Sequence, residues 1–233
     1  ESFEYYNPTR LVFGAGSIER LRQLVPAKAR VLMVWGGGSI LANGVHAQVR
    51  KALRGRDVVE FPGIEPNPRH ATCLRAVATL RKTRRDFLLA VGGGSVFDAV
   101  KYIAAAACFK GRDPWAILAR QAPVTTALPW GGVLTLPATG SEANGNSVIS
   151  NDATKDKLYF GSDLVRPVFS ILDPATTCSL PERQTANGVV DAFVHVCEQY
   201  LTFPADAPLQ DRQAEAILST LVEEGPKALK KPK

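Results

Sequence analysis

Two stretches of this chain share one grammar, and together they restrict the fold more than anything else in it. Arg30–Trp35 is apolar and β-prone and runs into Gly36-Gly37-Gly38-Ser39. Phe87–Val91 is apolar throughout and runs into Gly92-Gly93-Gly94-Ser95. A helical pattern follows each, from about Ser39 to Leu53 and from Val96 to about Phe109. A buried strand, a glycine turn and a helix form the half-unit of a parallel sheet with helices on both faces. Asp57–Phe61, Val133–Leu136 and Val168–Leu172 read as further short strands. A basic amphipathic helix is expected from about Arg69 to Thr83, after the Pro/Gly loop Pro62 to Pro68. The predicted fold class is α/β, with a Rossmann-like parallel sheet.

The pattern changes near Leu180. Beyond Pro181 the chain reads as two helices, Glu182–Tyr200 and about Asp206–Glu224. Pro204 and Pro208 punctuate the gap, Gly225-Pro226 ends the second helix, and the tail Lys227–Lys233 frays. Two helices do not bury their own apolar faces. The expected organisation is therefore an α/β domain over 1–180 and the beginning of a helical domain over 181–233.

Composition narrows the class. The 233 residues are 45% hydrophobic and 21% charged, as in ordinary globular chains. No apolar run reaches the roughly 18–20 residues of a membrane span, and the first residues carry no signal-peptide pattern. Four cysteines without CxxC spacing read as free thiols. The cytoplasm is the expected compartment. The net charge of +6 comes from scattered basic residues with no interleaved aromatic platform, so neither nucleic acid nor membrane is expected as a partner.

The glycine turns carry the functional signal. Free backbone N–H groups at a helix N-terminus attract an anion, and glycine lets a phosphate approach the main chain. Two such turns on one sheet suit a dinucleotide lying across the carboxyl ends of the strands. A tight β–α turn without a ligand is the plain alternative. Sites for NAD usually place an acid at the adenosine 2′-hydroxyl. Here the first turn is neutral and Asp57 is the next acid, so a 2′-phosphate fits, with Ser39 as a donor. That favours NADP(H). Asp191 and His195 carry a second signal. Four apart on a helix, they share one face and make half of a divalent-metal site. Such a pair is more often a simple surface contact, and His46 and His70 have no ligand partner at usable spacing.

In order, NPTRLVFGAGSIERL (Asn7–Leu21), WGGGSI (Trp35–Ile40), GIEPNPR (Gly63–Arg69), AVGGGSVFDAVK (Ala90–Lys101), LPATGSEAN (Leu136–Asn144) and LDPATTCSLPERQTANGVVDAFVHVCEQYL (Leu172–Leu201) resemble the iron-containing (group III) alcohol dehydrogenases, NADP-dependent aldehyde-reductase branch. The resemblance implies a dinucleotide-binding domain and a helical metal-binding domain, with Fe²⁺ or Zn²⁺ between them on one Asp and three His. Asp191 and His195 match the first two ligands; the other two lie beyond this sequence, which looks like the first part of a longer enzyme.

It also implies that Gly93, Gly94 and Ser95 meet the pyrophosphate and that Gly37, Gly38 and Ser39 meet the adenosine 2′ position. Asp98 would lie near the nicotinamide, Thr135 and Thr139 on the adenine and ribose side, Lys157 by the nicotinamide ribose and Leu180 against the cofactor. The implied reaction is hydride transfer between nicotinamide and an alcohol or aldehyde, the metal polarising the carbonyl. A homodimer formed through Arg10–Phe13 is the implied assembly. The alternative is a non-catalytic NADP-binding fragment or module. Glycerol dehydrogenase and dehydroquinate synthase share the architecture, but DAFVHVCEQ and the paired turns favour the alcohol dehydrogenases.

Overall fold

The computed structural model describes residue 2, residues 4–202 and residues 206–230. Its centre is a six-stranded sheet in the order β1-β8-β5-β4-β2-β3, parallel throughout. The strands are β1 (Arg10–Phe13), β2 (Arg30–Trp35), β3 (Asp57–Phe61), β4 (Phe87–Gly93), β5 (Trp130–Leu136) and β8 (Phe169–Leu172). A separate antiparallel hairpin joins β6 (Asn146–Asn151) to β7 (Asp156–Gly161).

Alternation along the strands builds two cores. Leu32, Val34, Leu88, Ala90 and Leu134 face one side and pack on α4 (His70–Lys82) and α5 (Gly94–Cys108). Val31, Met33, Leu89, Val91 and Val133 face the other, under α1 (Leu21–Leu24) and α3 (Val45–Ala52). Both faces of the central strands are thus covered, as a parallel sheet requires. Gly131 and Gly132 of β5 leave room for aromatic rings. A Cβ on either would lie 2.3 Å from the ring of Phe169 or Phe97 respectively.

The helix expected over Ser39–Leu53 is two pieces, α2 (Ser39–Ala42) and α3. Gly44 separates them with φ of 79°, a left-handed conformation that glycine adopts without strain. A short helix, α6 (Ala116–Ala119), precedes β5. After β8, the 3-10 turn Pro174–Ser179 leads to α7 (Glu182–Tyr200) and α8 (Pro208–Lys230). The second helix does not stop at Gly225-Pro226 as expected. It continues to Lys230, and Gly225 packs closely on α7: a Cβ there would lie 2.7 Å from the Val189 side chain. Pro226 removes one backbone donor without breaking the helix. The expected boundary at Pro204 and the last residues of the tail lie outside the described residues. No described helix is long and apolar enough to cross a membrane.

Candidate functional site

Trp35 of β2 stands opposite Val91 of β4 in register, so both glycine turns leave neighbouring strands at the same edge of the sheet. From that edge the chain winds in opposite directions. After β2 it runs to β3 on one flank, and after β4 to β5 on the other. This is the topological switch point, where α/β sheets open a crevice for ligands. The α5 N-terminus opens there at Gly94, and no side chain caps it, which leaves its backbone N–H groups free for an anion. The turn also stands against the loop that follows β5. A Cβ on Gly94 would sit 2.7 Å from Thr139 Oγ1. Gly37 and Gly38 have open space above them, and Ser39 is exposed. The glycine chemistry of both turns fits a phosphate-bearing dinucleotide.

Neighbouring segments close over the second turn. The Asn67 backbone N–H donates to Ser95 Oγ at 3.4 Å, and Lys157 Nζ donates to Asn67 Oδ1 at 2.8 Å. Lys157 therefore stands beside the turn, carried there by the β6–β7 hairpin. Ser150 N–H of that hairpin donates to the Pro68 carbonyl at 2.9 Å, which docks it on the Gly63–Arg69 loop. The hairpin is absent from the sequence reading. Val148 and Ile149, followed by the turn-prone Asn151-Asp152-Ala153, were its available signal.

Asp98, one turn into α5, accepts the Ser141 hydroxyl at 2.6 Å and the Val148 N–H at 3.0 Å. Burial pushes its carboxyl above the usual range, against the opposing pull of Lys101 and these hydrogen bonds. Lys101 is fully buried. Its ammonium donates to Ser141 Oγ at 2.7 Å, Asn144 Oδ1 at 2.8 Å and the Asn146 carbonyl at 2.7 Å. Desolvation lowers its pKa to about 8. Its place in this network was not anticipated, although the Asp98/Lys101 spacing put both on one helical face.

Beyond the same loop lies α7. A Cβ on Gly188 would come within 2.8 Å of the Pro137 carbonyl oxygen, so only glycine admits this approach. Two clefts flank the contact. One, of about 540 Å³, is lined by Leu136, Pro137, Thr177, Leu180 and Val189 among others. The other, of about 670 Å³, brings Asp98, Thr139, Ser141 and Asn144 together with Ala192 and His195. Thr135 lies apart from both, buried in β5.

His195 Nε2 lies 3.6 Å from Asp191 Oδ2, and both side chains are about half exposed. Carboxylate and imidazole are suitable metal donors. They are nevertheless only two, and no group of three or more His, Cys, Asp or Glu side chains is arranged for a metal among the described residues. These residues do not complete a metal centre by themselves. The other histidines are engaged elsewhere. His46 pairs with Glu60 at 2.9 Å and is part-buried rather than exposed, and His70 meets the Tyr102 hydroxyl at 2.9 Å.

A family model described as "Iron-containing alcohol dehydrogenase" matches residues 8–174. The chain belongs to the iron-containing alcohol dehydrogenase family. It is 56% identical to the NADPH-dependent aldehyde reductase YqhD of Escherichia coli over 233 residues, covering 99% of this chain and 60% of that protein. It is 49% identical to the probable NADH-dependent butanol dehydrogenase 2 of Bacillus subtilis, covering 98% of this chain and 59% of that protein. Among solved structures, E. coli YqhD superposes with a TM-score of 0.97 at 55% identity, over all of this chain and 60% of that one. The NADH-dependent butanol dehydrogenase A of Thermotoga maritima gives 0.95 at 38% identity, over all of this chain and 59% of that one. The chain thus spans about 60% of the length of the family members it matches.

Proposed function

We propose that this chain is the dinucleotide-binding portion of an NADP(H)- and divalent-metal-dependent alcohol dehydrogenase or aldehyde reductase. The observation that carries the reading is the pair of glycine turns side by side at the topological switch point, one of them opening the uncapped N-terminus of α5. Gly93, Gly94 and Ser95 would hold the pyrophosphate. Gly37, Gly38 and Ser39 would take the adenosine 2′-phosphate, and Lys157 would approach the nicotinamide ribose. Thr135 and Thr139 would serve the adenine and ribose side and Leu180 the cofactor's apolar flank, with Asp98 toward the nicotinamide. Of the two acids on the neighbouring strand β3, Asp57 pairs with Arg85 and Glu60 is engaged by His46 and Arg50, which supports NADP(H) over NAD(H). The named family relatives include both NADPH- and NADH-dependent proteins.

Asp191 and His195 would hold two positions of Fe²⁺ or Zn²⁺, which supplies Lewis-acid polarisation of a carbonyl when bound. The chain's own residues contribute placement. The loop after β5 sits between the nucleotide turn and α7, and the cleft beside it is where an aldehyde carbonyl would face the nicotinamide. The division falls near residue 180, between the α/β domain and the two helices. A cytoplasmic homodimer formed through β1 is part of the same reading. Leu11 and Phe13 are exposed on that edge strand, whose outer side pairs with nothing among the described residues.

NADPH fluorescence titration, run beside NADH, tests the core of this reading. Saturable binding with NADPH preferred is expected, and absence of binding to either refutes it. Metal- and aldehyde-dependent oxidation of NADPH then separates the enzyme from the second reading, a non-catalytic NADP-binding module. The two-donor count at Asp191 and His195 favours that module for the chain by itself.

A further inference from the structure

The segment from Pro137 to Asn146 is the one stretch described above that touches both halves of the candidate site. On one side Thr139 packs on Gly94 of the nucleotide turn. On the other, the Pro137 carbonyl receives α7 at Gly188, one turn before Asp191. Whatever fixes this segment fixes the distance between the two.

The helix α5 fixes its face. The ammonium of Lys101 spends all three donors on it: the Ser141 hydroxyl, the Asn144 side-chain oxygen and the Asn146 carbonyl. One turn earlier, the Asp98 carboxylate accepts hydrogen bonds from the Ser141 hydroxyl and the Val148 N–H, and its own carbonyl accepts the Ser147 hydroxyl at 2.8 Å. The far side of the segment is held by Ser170 Oγ on the Glu142 carbonyl at 2.7 Å and by Arg166 on the Ala143 carbonyl at 3.0 Å. The carboxylate of Asp98 forms an ion pair with Lys101 at 3.9 Å, outside hydrogen-bond distance. A buried cation retained under those terms is costly unless fully hydrogen-bonded. Here every ammonium proton has an acceptor, and the acceptors all lie in the stretch from Ser141 to Asn146, the loop and the first residue of β6.

We propose that Lys101 is a positioning residue of this site, whose buried ammonium pins the Ser141–Asn146 loop to α5 and thereby sets the nucleotide turn against α7. The proposal rests on the dinucleotide reading above. Lys101 touches neither nucleotide nor substrate; it acts through the loop.

The test is Lys101→Ala, read by NADPH fluorescence titration and by hydrogen exchange of residues 139–146. The expected result is NADPH binding weakened about tenfold or more, with faster exchange across the loop. The substitution removes a propylammonium-sized group, so added n-propylammonium should restore binding and protection. Tetramethylammonium, equally charged but too bulky, should not. A variant that binds NADPH like the wild type, or one that no amine restores, overturns the proposal.

Should Lys101→Ala fail to fold, Asn144→Ala leaves the ammonium one acceptor short. Binding weakened about threefold or more with faster loop exchange supports the anchor, and no change in either refutes it. If the wild-type chain binds no NADPH, the dinucleotide reading fails first. Exchange in the nucleotide-free chain then still decides whether Lys101 holds the loop.

Discussion

Trp35 and Val91 face one another across adjacent parallel strands, so the last residue of β2 and the start of the second glycine turn share one level of the sheet. Each turn alone is a common β–α connection; in register they stand side by side at the edge where α/β sheets open a crevice for ligands.

The first prediction concerns that platform. Gly94→Ala would place a methyl 2.7 Å from Thr139 Oγ1. The loop must give way, and a methyl also stands where a phosphate would approach the backbone. NADPH affinity should fall about tenfold or more, and pairing the change with Thr139→Ala should recover part of the loss. A fluorescence titration of the four chains measures the coupling directly.

A second prediction follows from the buried lysine. Its pKa in the folded protein is held to about 8, below the ordinary 10.5, by desolvation. Between those values the unfolded chain binds the proton more tightly than the folded one. Stability contributed at this position therefore rises as pH climbs from about 8 toward 10.5, and is lowest and flat below 8. Denaturant unfolding of wild type and Lys101→Met across this range should show the difference moving in favour of the wild type. A difference independent of pH would contradict the burial of a charged group there.

The metal half of the site makes a third. Asp191 and His195 lie 3.6 Å apart, half exposed, without a third donor among the described residues. Zn²⁺ or Co²⁺ should bind this chain too weakly to remain stoichiometric through dialysis, and Asp191→Ala or His195→Ala should remove the residual binding. Stoichiometric retention, measured by elemental analysis, would show that other groups complete the site.

The sheet edge supplies the fourth. Phe13 is 76% exposed and Leu11 51% exposed on β1, an arrangement that invites a second chain. The wild-type chain should sediment as a dimer, and the Phe13→Lys variant should move toward monomer in sedimentation velocity. It should change stability by no more than about 0.5 kcal/mol, since the side chain is largely exposed.

Much of the scaffold was legible because it is written locally. Apolar runs ending in glycine mark β2 and β4, and 3.6-residue periodicity marks α4 and α7, with bounds within a residue or two of those found. The β6–β7 hairpin was not legible. Its buried positions are Ser147, Ile149 and Phe160, too few and too mixed to stand out, and its stability comes from docking on α5 and on Pro68. Lys157 could be singled out but not located, since its position depends on that hairpin. The need for glycine at 188 is not legible locally, because the Pro137 carbonyl that requires it lies 51 residues earlier in the chain. The continuation of α8 through Pro226 runs against a local stop signal, and Gly225 there packs on Val189, 36 residues earlier.

At Gly188 the α7 backbone comes so near the Pro137 carbonyl oxygen that a Cβ would lie 2.8 Å from it, which makes this glycine a fulcrum for the helix. His195 is seven residues along, about 10 Å from the fulcrum at 1.5 Å per residue. A tilt of about ten degrees there sweeps the imidazole through about 2 Å, more than enough to engage or miss a coordination position. If Asp191 and His195 serve as proposed, their placement depends on a contact between a glycine and a carbonyl oxygen, where the smallest side chain would already shift the arm.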